Sequence, residues 1–337
     1  MRIVLATETP RLPAERALAE PCGGVEIATA LLVRAFARAG HDVTVLSGTA
    51  PAERDADGAL WAPEAHGRAD LVIANRAPKL FRTLPQGRRV LWMHNPARYL
   101  RKPRHMWPLL LAWPRIVVLG GYHRSSLPRI VAGRAIEIPL AVAPPFDGGG
   151  QEQAAPPPPV AVFASNPMRG LDPLLGLWAA RILPAVPEAR LHVFSGPGVY
   201  AGDAKLAARA APVLERAAHT PGVVLRGPQP REVLARQYGR ARGMLYLGDA
   251  GETFCLAVAE AQAMGLPCVL GTEGSVPERI VDGRTGVLAP DQDRFAEAAI
   301  RLLRDDAHWR ALHHGALARG PGADWNEVAA RFVELAR

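Results

Sequence analysis

The sequence predicts an α/β protein made of two doubly wound, parallel-sheet domains. Short apolar runs rich in β-branched residues alternate with helical patterns along the chain, the order of a sheet covered by crossover helices. The runs are apolar throughout instead of alternating, as strands buried on both faces must be. The rhythm breaks once, at 144–159, where Gly148-Gly149-Gly150 and the consecutive prolines Pro156 to Pro159 fall together, and then restarts.

In the first half the run 2–7 is a strand from the outset. A helical pattern follows over 25–38 with Ile27, Leu31 and Ala35 on one face, and Gly40 closes it. Further strands are expected over 42–46, 71–74, 89–93, 116–119 and 135–139. The stretch 144–159 reads as a linker, part flexible and part extended. In the second half, strands are expected over 160–164, 190–194, 223–225, 243–247 and 268–270, and helices over 171–183, 231–238, 257–264, 291–304 and 325–337. Gly265 ends the 257–264 helix, with Pro267 just beyond. The expected domains are therefore 1–143 and 160–318, followed by a terminal segment, 319–337.

Hydrophobic residues at 49% and charged residues at 21% exclude a disordered tract. Cys22, Cys255 and Cys268 show neither a C-x-x-C spacing nor a paired framework, so neither a disulfide scaffold nor a zinc site is implied. A reducing, cytoplasmic compartment is expected. The opening strand stands where a signal peptide would, and the apolar run 107–113 is broken by Pro108 and followed by Pro114. No stretch approaches the ~20 residues of a membrane span.

The net charge of +8 is unevenly placed. From Leu71 to Ile136 there is no Asp or Glu but thirteen Lys and Arg, so the rest of the chain carries about −5 (8 − 13). Such a field attracts an anionic partner: a membrane surface, an acidic glycolipid or nucleic acid. Trp92, Tyr99, Trp107 and Trp113 lie in this window. Aromatics beside Arg can stack bases or sit at a membrane interface, but the core is the expected place for each. No RNA- or DNA-binding motif accompanies the basic window, which counts against nucleic acid.

The candidate chemistry lies in Gly251-Glu252-Thr253-Phe254-Cys255-Leu256-Ala257-Val258-Ala259-Glu260-Ala261. Two carboxylates stand eight residues apart, Glu252 in the loop after the 243–247 strand and Glu260 about two turns into the next helix. The helix start between them offers backbone N–H groups and the positive end of the dipole, a site for a diphosphate. Ionised Glu side chains accept hydrogen bonds from sugar hydroxyls.

This run resembles the E-x7-E motif of glycosyltransferase family 4, whose members are retaining enzymes of the GT-B fold. Glu260-Ala261-Gln262-Ala263-Met264-Gly265-Leu266-Pro267 is similar to the family's E-A-x-A-x-G-x-P continuation, Gly283-Arg284-Thr285-Gly286 to its later glycine turn, and Arg169-Gly170-Leu171-Asp172 to its K-G-L-D. The resemblance implies two facing Rossmann-like domains with an interdomain cleft, the second binding the nucleotide sugar and the first the acceptor, and a last helix that crosses back to the first domain. It implies that Glu252 contacts donor-sugar hydroxyls and that Thr253, Phe254, Cys255 and Leu256 frame the sugar and phosphate. It further implies that Glu260 holds the ribose, that Arg169 neutralises the diphosphate, and that backbone around Arg226 and Gly227 meets the base. The family has a second Arg about five residues before its K-G. Here Ala164-Ser165-Asn166 stands there, and Ser165 or Asn166 would hydrogen-bond phosphate instead.

In the first half, Cys22-Gly23-Gly24-Val25-Glu26 is not G-x-G-x-x-G, yet it is similar to the family's G-G-x-E loop, which makes Gly23 and Gly24 candidates for the donor phosphate. His94 follows the 89–93 strand, where such folds place ligand groups, and the family has a His at a similar point near the transferred sugar. The expected activity is metal-independent transfer of a hexose-like sugar, with retention, from a nucleoside-diphosphate sugar to an acceptor hydroxyl on a carbohydrate or lipid-linked molecule. No cofactor is expected. The expected location is cytoplasmic, peripheral on the inner face of the membrane. The alternatives are a non-catalytic nucleotide-sugar-binding protein of the same fold, a phosphorylase or epimerase, or a nucleic-acid-binding protein using 71–136.

Overall fold

The computed structural model describes residues 1–48, 51–196 and 204–337. It divides into two compact units. The first comprises Met1–Ala17, Gly24–Ala141 and Ala323–Arg337, and the second Leu18–Gly23 and Val142–Gly322.

The first unit holds β1 (Arg2–Ala6), β2 (Asp42–Leu46), β3 (Glu53–Arg54), β4 (Leu60–Ala62), β5 (Arg68–Asn75), β6 (Gln86–Trp92), β7 (Arg115–Val118) and β8 (Ala135–Glu137). They form one sheet in the order β3-β4-β2-β1-β5-β6-β7-β8, parallel except for the β3–β4 pair. The central strands are buried toward their carboxyl ends, at 3–6, 71–74 and 90–92, which is why those stretches are continuous apolar runs. The helix Gly24–Arg38 packs on one face together with the C-terminal helix Trp325–Glu334. There Phe332 meets Phe36 edge-on at 6.2 Å and Trp92 at 5.5 Å. A capping box of Asp324 and Glu327 starts that last helix.

The second unit holds β9 (Val160–Phe163), β10 (Arg190–Val193), β11 (Val223–Leu225), β12 (Gly243–Tyr246), β13 (Cys268–Leu270) and β14 (Gly286–Leu288). Their order is β11-β10-β9-β12-β13-β14, all parallel. From β9 the chain goes out to β10 and β11 on one side and returns to β12 on the other. The β9/β12 junction is therefore the switch point, and the carboxyl ends of these two strands are where such sheets bind ligands.

Several expectations need correction. The stretch 144–159 is not a flexible tether but is strapped to the second unit. Phe146 is fully buried, Gly150 N–H donates to Ala263 O at 2.9 Å, and Arg242 donates to Pro157 O at 3.1 Å. A Cβ on Gly150 would lie 2.1 Å from Met264 O, so this close approach requires glycine. The helix expected over 171–183 is α-helical only over Leu171–Leu177, continuing as a π-turn at Trp178–Ile182. Pro108 does not break the 107–113 run but sits inside a helix, Pro103–Ala112. Trp92 is core, as expected, but Trp107 and Trp113 are 65% and 47% exposed.

Candidate active site

β9, β12 and the loops after them assemble the polar centre of the second unit. Asn166 accepts from Met168 N–H through Oδ1 at 2.9 Å and from Arg169 N–H through its carbonyl at 3.0 Å, a local turn that presents Arg169. After β12, Gly251 N–H donates to Asp249 Oδ1 at 2.7 Å and Glu252 N–H to Asp249 O at 2.9 Å. Ser275 N–H donates to Glu252 O at 3.1 Å. Glu252 is thus clamped by its main chain. Gly274, with φ +68°, makes room for this turn: a Cβ there would stand 2.4 Å from Asp249 O.

The Glu252 side chain is 7% exposed and engaged at both oxygens. Tyr246 OH donates to Oε1 in a short hydrogen bond, and the Arg169 guanidinium pairs with Oε2. Ser165 Oγ lies 3.1 Å from the same Tyr246 hydroxyl, so Ser165, Tyr246 and Glu252 form a chain across the switch point. Tyr246 is fully buried and its ring stacks on Phe163 at 5.6 Å. Burial first, then Cys255 and Glu252, pushes its hydroxyl well above the usual phenol range, so it stays a donor.

The helix Leu256–Ala263 starts directly after this loop. Its cap, Cys255, has φ +63° and ψ +70°, a left-handed conformation that disfavours any side chain. Burial first, then Glu252, holds the Cys255 thiol well above its ordinary range, so it stays protonated. Thr253 and Phe254 are buried, and the Arg279 guanidinium stacks over the Phe254 ring at 4.1 Å.

Glu260 forms a second cluster. Its carboxylate accepts from Arg231 Nη2 at 2.5 Å, while Arg231 Nε donates to Pro144 O at 3.0 Å and its guanidinium lies 5.0 Å from the Phe146 ring centre. Burial opposes the Arg231 charge, but Glu260 outweighs it and the guanidinium is held above its ordinary pKa. Arg226 and Gly227 follow β11 at the same carboxyl edge of the sheet. Arg226 N–H bonds Val193 O at 2.8 Å and Gly227 has φ +67°.

The remaining candidates are Gly23, in the Leu18–Gly23 segment of the second unit, and Gly24 and His94 in the first. Gly24 opens the helix Gly24–Arg38, with Gly23 just before it. His94, after β6, is 6% exposed with its ring 4.3 Å from Trp92. Burial, with Arg76 and His123 adding, holds it well below the usual histidine range, so it is a neutral imidazole near pH 7. His123 braces this loop. Its Nδ1 accepts from Leu119 N–H at 3.2 Å, which leaves Nε2–H to donate to Asn95 O at 2.9 Å.

Sequence reasoning singled out Arg169 and Glu252, which the structure joins, and Glu260 on the helix that follows. It missed Tyr246, Arg231, Arg279 and His123. Tyr246 ends an apolar strand and Arg231 opens a helix, so each reads as ordinary core or surface. Only the pairing in space marks them.

Both units are parallel α/β sheets, and in the second one acceptor and cationic side chains stand at the switch point beside a helix start. The likeness to solved structures extends over the whole chain. Sucrose-phosphate synthase from Thermosynechococcus elongatus matches with a TM-score of 0.75 at 17% identity, covering 99% of this chain and 98% of that one. HepE of Anabaena, solved with UDP-glucose, matches at 0.68 and 14% identity over 99% and 98%. The fold is GT-B, two Rossmann-like units. Residues 158–305 match the family model described as Glycosyl transferases group 1. Curated relatives agree. A D-inositol 3-phosphate glycosyltransferase of Catenulispora acidiphila is 36% identical over 112 residues, 33% of this chain and 27% of that protein. Its counterpart in a Nocardioides species is 30% identical over 191 residues, 53% and 41% respectively. The aligned stretches thus span well under half of these relatives' own length.

Proposed function

We propose that this protein is a glycosyltransferase that moves a sugar, with retention, from a nucleoside-diphosphate sugar to an acceptor hydroxyl. The observation that carries this reading is the Ser165–Tyr246–Glu252–Arg169 constellation at the β9/β12 switch point, next to the start of Leu256–Ala263. The helix N-terminus and Arg169 take the donor diphosphate, a charge that N–H dipoles and a guanidinium both suit. Glu252 accepts hydrogen bonds from the donor sugar, and Glu260 from the ribose. As the bond from the anomeric carbon to the phosphate oxygen breaks, the acceptor oxygen bonds that carbon on the same face and its proton passes to the departing phosphate oxygen, while charge developing on the leaving diphosphate is met by Arg169 and the helix dipole. His94, neutral near pH 7, serves the transferred sugar as a hydrogen-bonding group. The transfer needs no divalent metal, and the acceptor is a carbohydrate or lipid-linked hydroxyl.

A thermal-shift screen with UDP, GDP, ADP, dTDP and their sugar conjugates, without metal, tests the donor site. A ligand at 100 times its Kd adds about 2.7 kcal/mol to stability. A shift with one nucleotide family supports the reading, and turnover with the matching sugar conjugate separates an enzyme from a non-catalytic binder. No shift with any of them overturns it.

A further inference from the structure

Large apolar side chains stand in solvent on the first unit: Trp107 at 65% exposure, Leu111 at 76%, Trp113 at 47% and Ile130 at 61%. Trp107 and Leu111 are one helical turn apart on Pro103–Ala112 and share a face. Trp113 caps that helix with φ +42°, a left-handed conformation that glycine would adopt without strain. Arg134 links Ile130 to this group. Its guanidinium lies 5.6 Å from the Trp113 ring centre, its side chain donates to Trp113 O and Pro114 O at 3.1 Å, and its carbonyl accepts from Ile116 N–H at 2.9 Å. The segment carrying Ile130 therefore runs beside the one carrying Trp113.

Arg101, Lys102, Arg104, Arg115 and Arg129 are exposed among these apolar groups. Among the described residues none of the five enters a salt bridge, and the whole window 71–136 has no acidic residue. Single exposed apolar residues are ordinary on soluble proteins, whereas aromatic and aliphatic side chains clustered with unopposed cations are not. Nucleic acid would use the cations and leave Leu111 and Ile130 in water. The headgroup region of an anionic bilayer uses both: Trp settles at the interface, aliphatic side chains enter below it, and Lys and Arg meet the lipid phosphates.

We propose that this surface docks the protein on an anionic lipid membrane, with Trp107, Leu111, Trp113 and Ile130 as the inserted groups. Among the described residues no helix is long and apolar enough to cross a bilayer, so the attachment is to one face. The docking surface is independent of the transfer reading: its loss leaves nucleotide binding unchanged.

The test is co-sedimentation of the full chain with phosphatidylcholine vesicles containing about one-third phosphatidylglycerol, against pure phosphatidylcholine, at low salt and at 0.5 M NaCl. The expected result is binding to the anionic vesicles that weakens at least tenfold in high salt and is absent on neutral ones. Brominated lipid should quench tryptophan fluorescence, and Trp107→Phe should remove part of that quenching. Trp107→Ser with Leu111→Ser should lower the partition coefficient at least tenfold without changing the melting temperature. Arg101→Glu with Arg104→Glu is the second variant and should do the same without altering the apolar groups. No binding, equal binding to neutral vesicles, undiminished binding by both double variants, or binding to RNA in place of vesicles overturns the proposal.

Discussion

Replacing Tyr246 by Phe deletes one oxygen from the centre of the candidate site and leaves the ring on Phe163. That oxygen donates the hydrogen bond to Glu252 Oε1, and Ser165 Oγ lies 3.1 Å away. A hydrogen bond to a charged group contributes about 1.5–3 kcal/mol, and its loss leaves a buried carboxylate oxygen without that partner. Glu252 keeps its main-chain clamps and Arg169, so the carboxylate stays in the site but is free to turn. If it must hold a fixed direction toward the donor sugar in the transition state, the same 1.5–3 kcal/mol appears in the barrier. The expected loss in kcat is then about 10- to 150-fold, at about 1.4 kcal/mol per factor of ten. In the proposed function the diphosphate meets Arg169 and the helix start, not Tyr246, so nucleoside-diphosphate affinity by calorimetry should change less than threefold. Turnover is followed by release of the nucleoside diphosphate, with Ser165→Ala as a milder companion. A wild-type kcat in Tyr246→Phe, or equal losses in kcat and nucleotide affinity, would refute the assignment of Tyr246 as the group that positions Glu252.

Four further outcomes are expected. Glu252→Gln should lower turnover by at least 100-fold while tightening binding of the nucleoside diphosphate alone, because Arg169 loses its ionic partner; weaker diphosphate binding would contradict this. Glu260→Ala should mainly weaken nucleotide binding, and it should also destabilise the second unit by about 3–5 kcal/mol because the largely buried Arg231 is left uncompensated. The double variant Glu260→Ala with Arg231→Met should recover stability but not nucleotide affinity, and recovery of both would deny Glu260 a binding role. His123 is buried and pushed down to about 4 from 6.5, chiefly by burial, so between those values the unfolded chain binds a proton that the folded one refuses. Stability should therefore be full above pH 6.5 and fall by about 1.4 kcal/mol per pH unit as pH drops toward 4, with His94 steepening the slope; a melting temperature that stays level from pH 7 to 5 would contradict it.

How far the fold was legible follows from where burial decides structure. The central strands sit between helices on both faces, so their continuous apolar runs predicted them. Two of the edge strands were hidden: Glu53–Arg54 is polar and two residues long, and Gly286–Leu288 reads as part of a glycine turn. The helices Ala204–His219 and Pro103–Ala112 each contain a proline, which masked their periodicity. The 144–159 stretch has the composition of a linker, but Phe146 and the hydrogen bonds at Gly150 and Pro157 anchor it to the second unit. At the site, the spacing of Glu252 and Glu260 and the position of Arg169 were visible because a helix start and a strand end dictate them. Tyr246 and Arg231 were not, because a hydrogen bond 6 residues away and an ion pair 29 residues away are facts of folding rather than of pattern.

The departure at Ala164-Ser165-Asn166 takes on a physical meaning once these partners are placed. Where the resemblance leads one to expect a second cation, the chain has a serine bonded to a buried tyrosine, which in turn holds Glu252. Asn166 spends its side-chain oxygen on the turn that carries Arg169. In the proposed function Arg169 is therefore the cation that both Glu252 and an incoming diphosphate demand. With no donor bound, it neutralises Glu252, which would otherwise be a charge buried at a cost of several kcal/mol. A diphosphate carries more charge than one carboxylate and also meets the helix dipole, so it draws Arg169 away. Glu252 Oε2 is then open to a sugar hydroxyl, and Tyr246 keeps Oε1 in place. On this reading the phosphate half of the donor prepares the receptor for the sugar half, and the hydroxyl chain from Ser165 keeps that receptor from collapsing when its cation leaves.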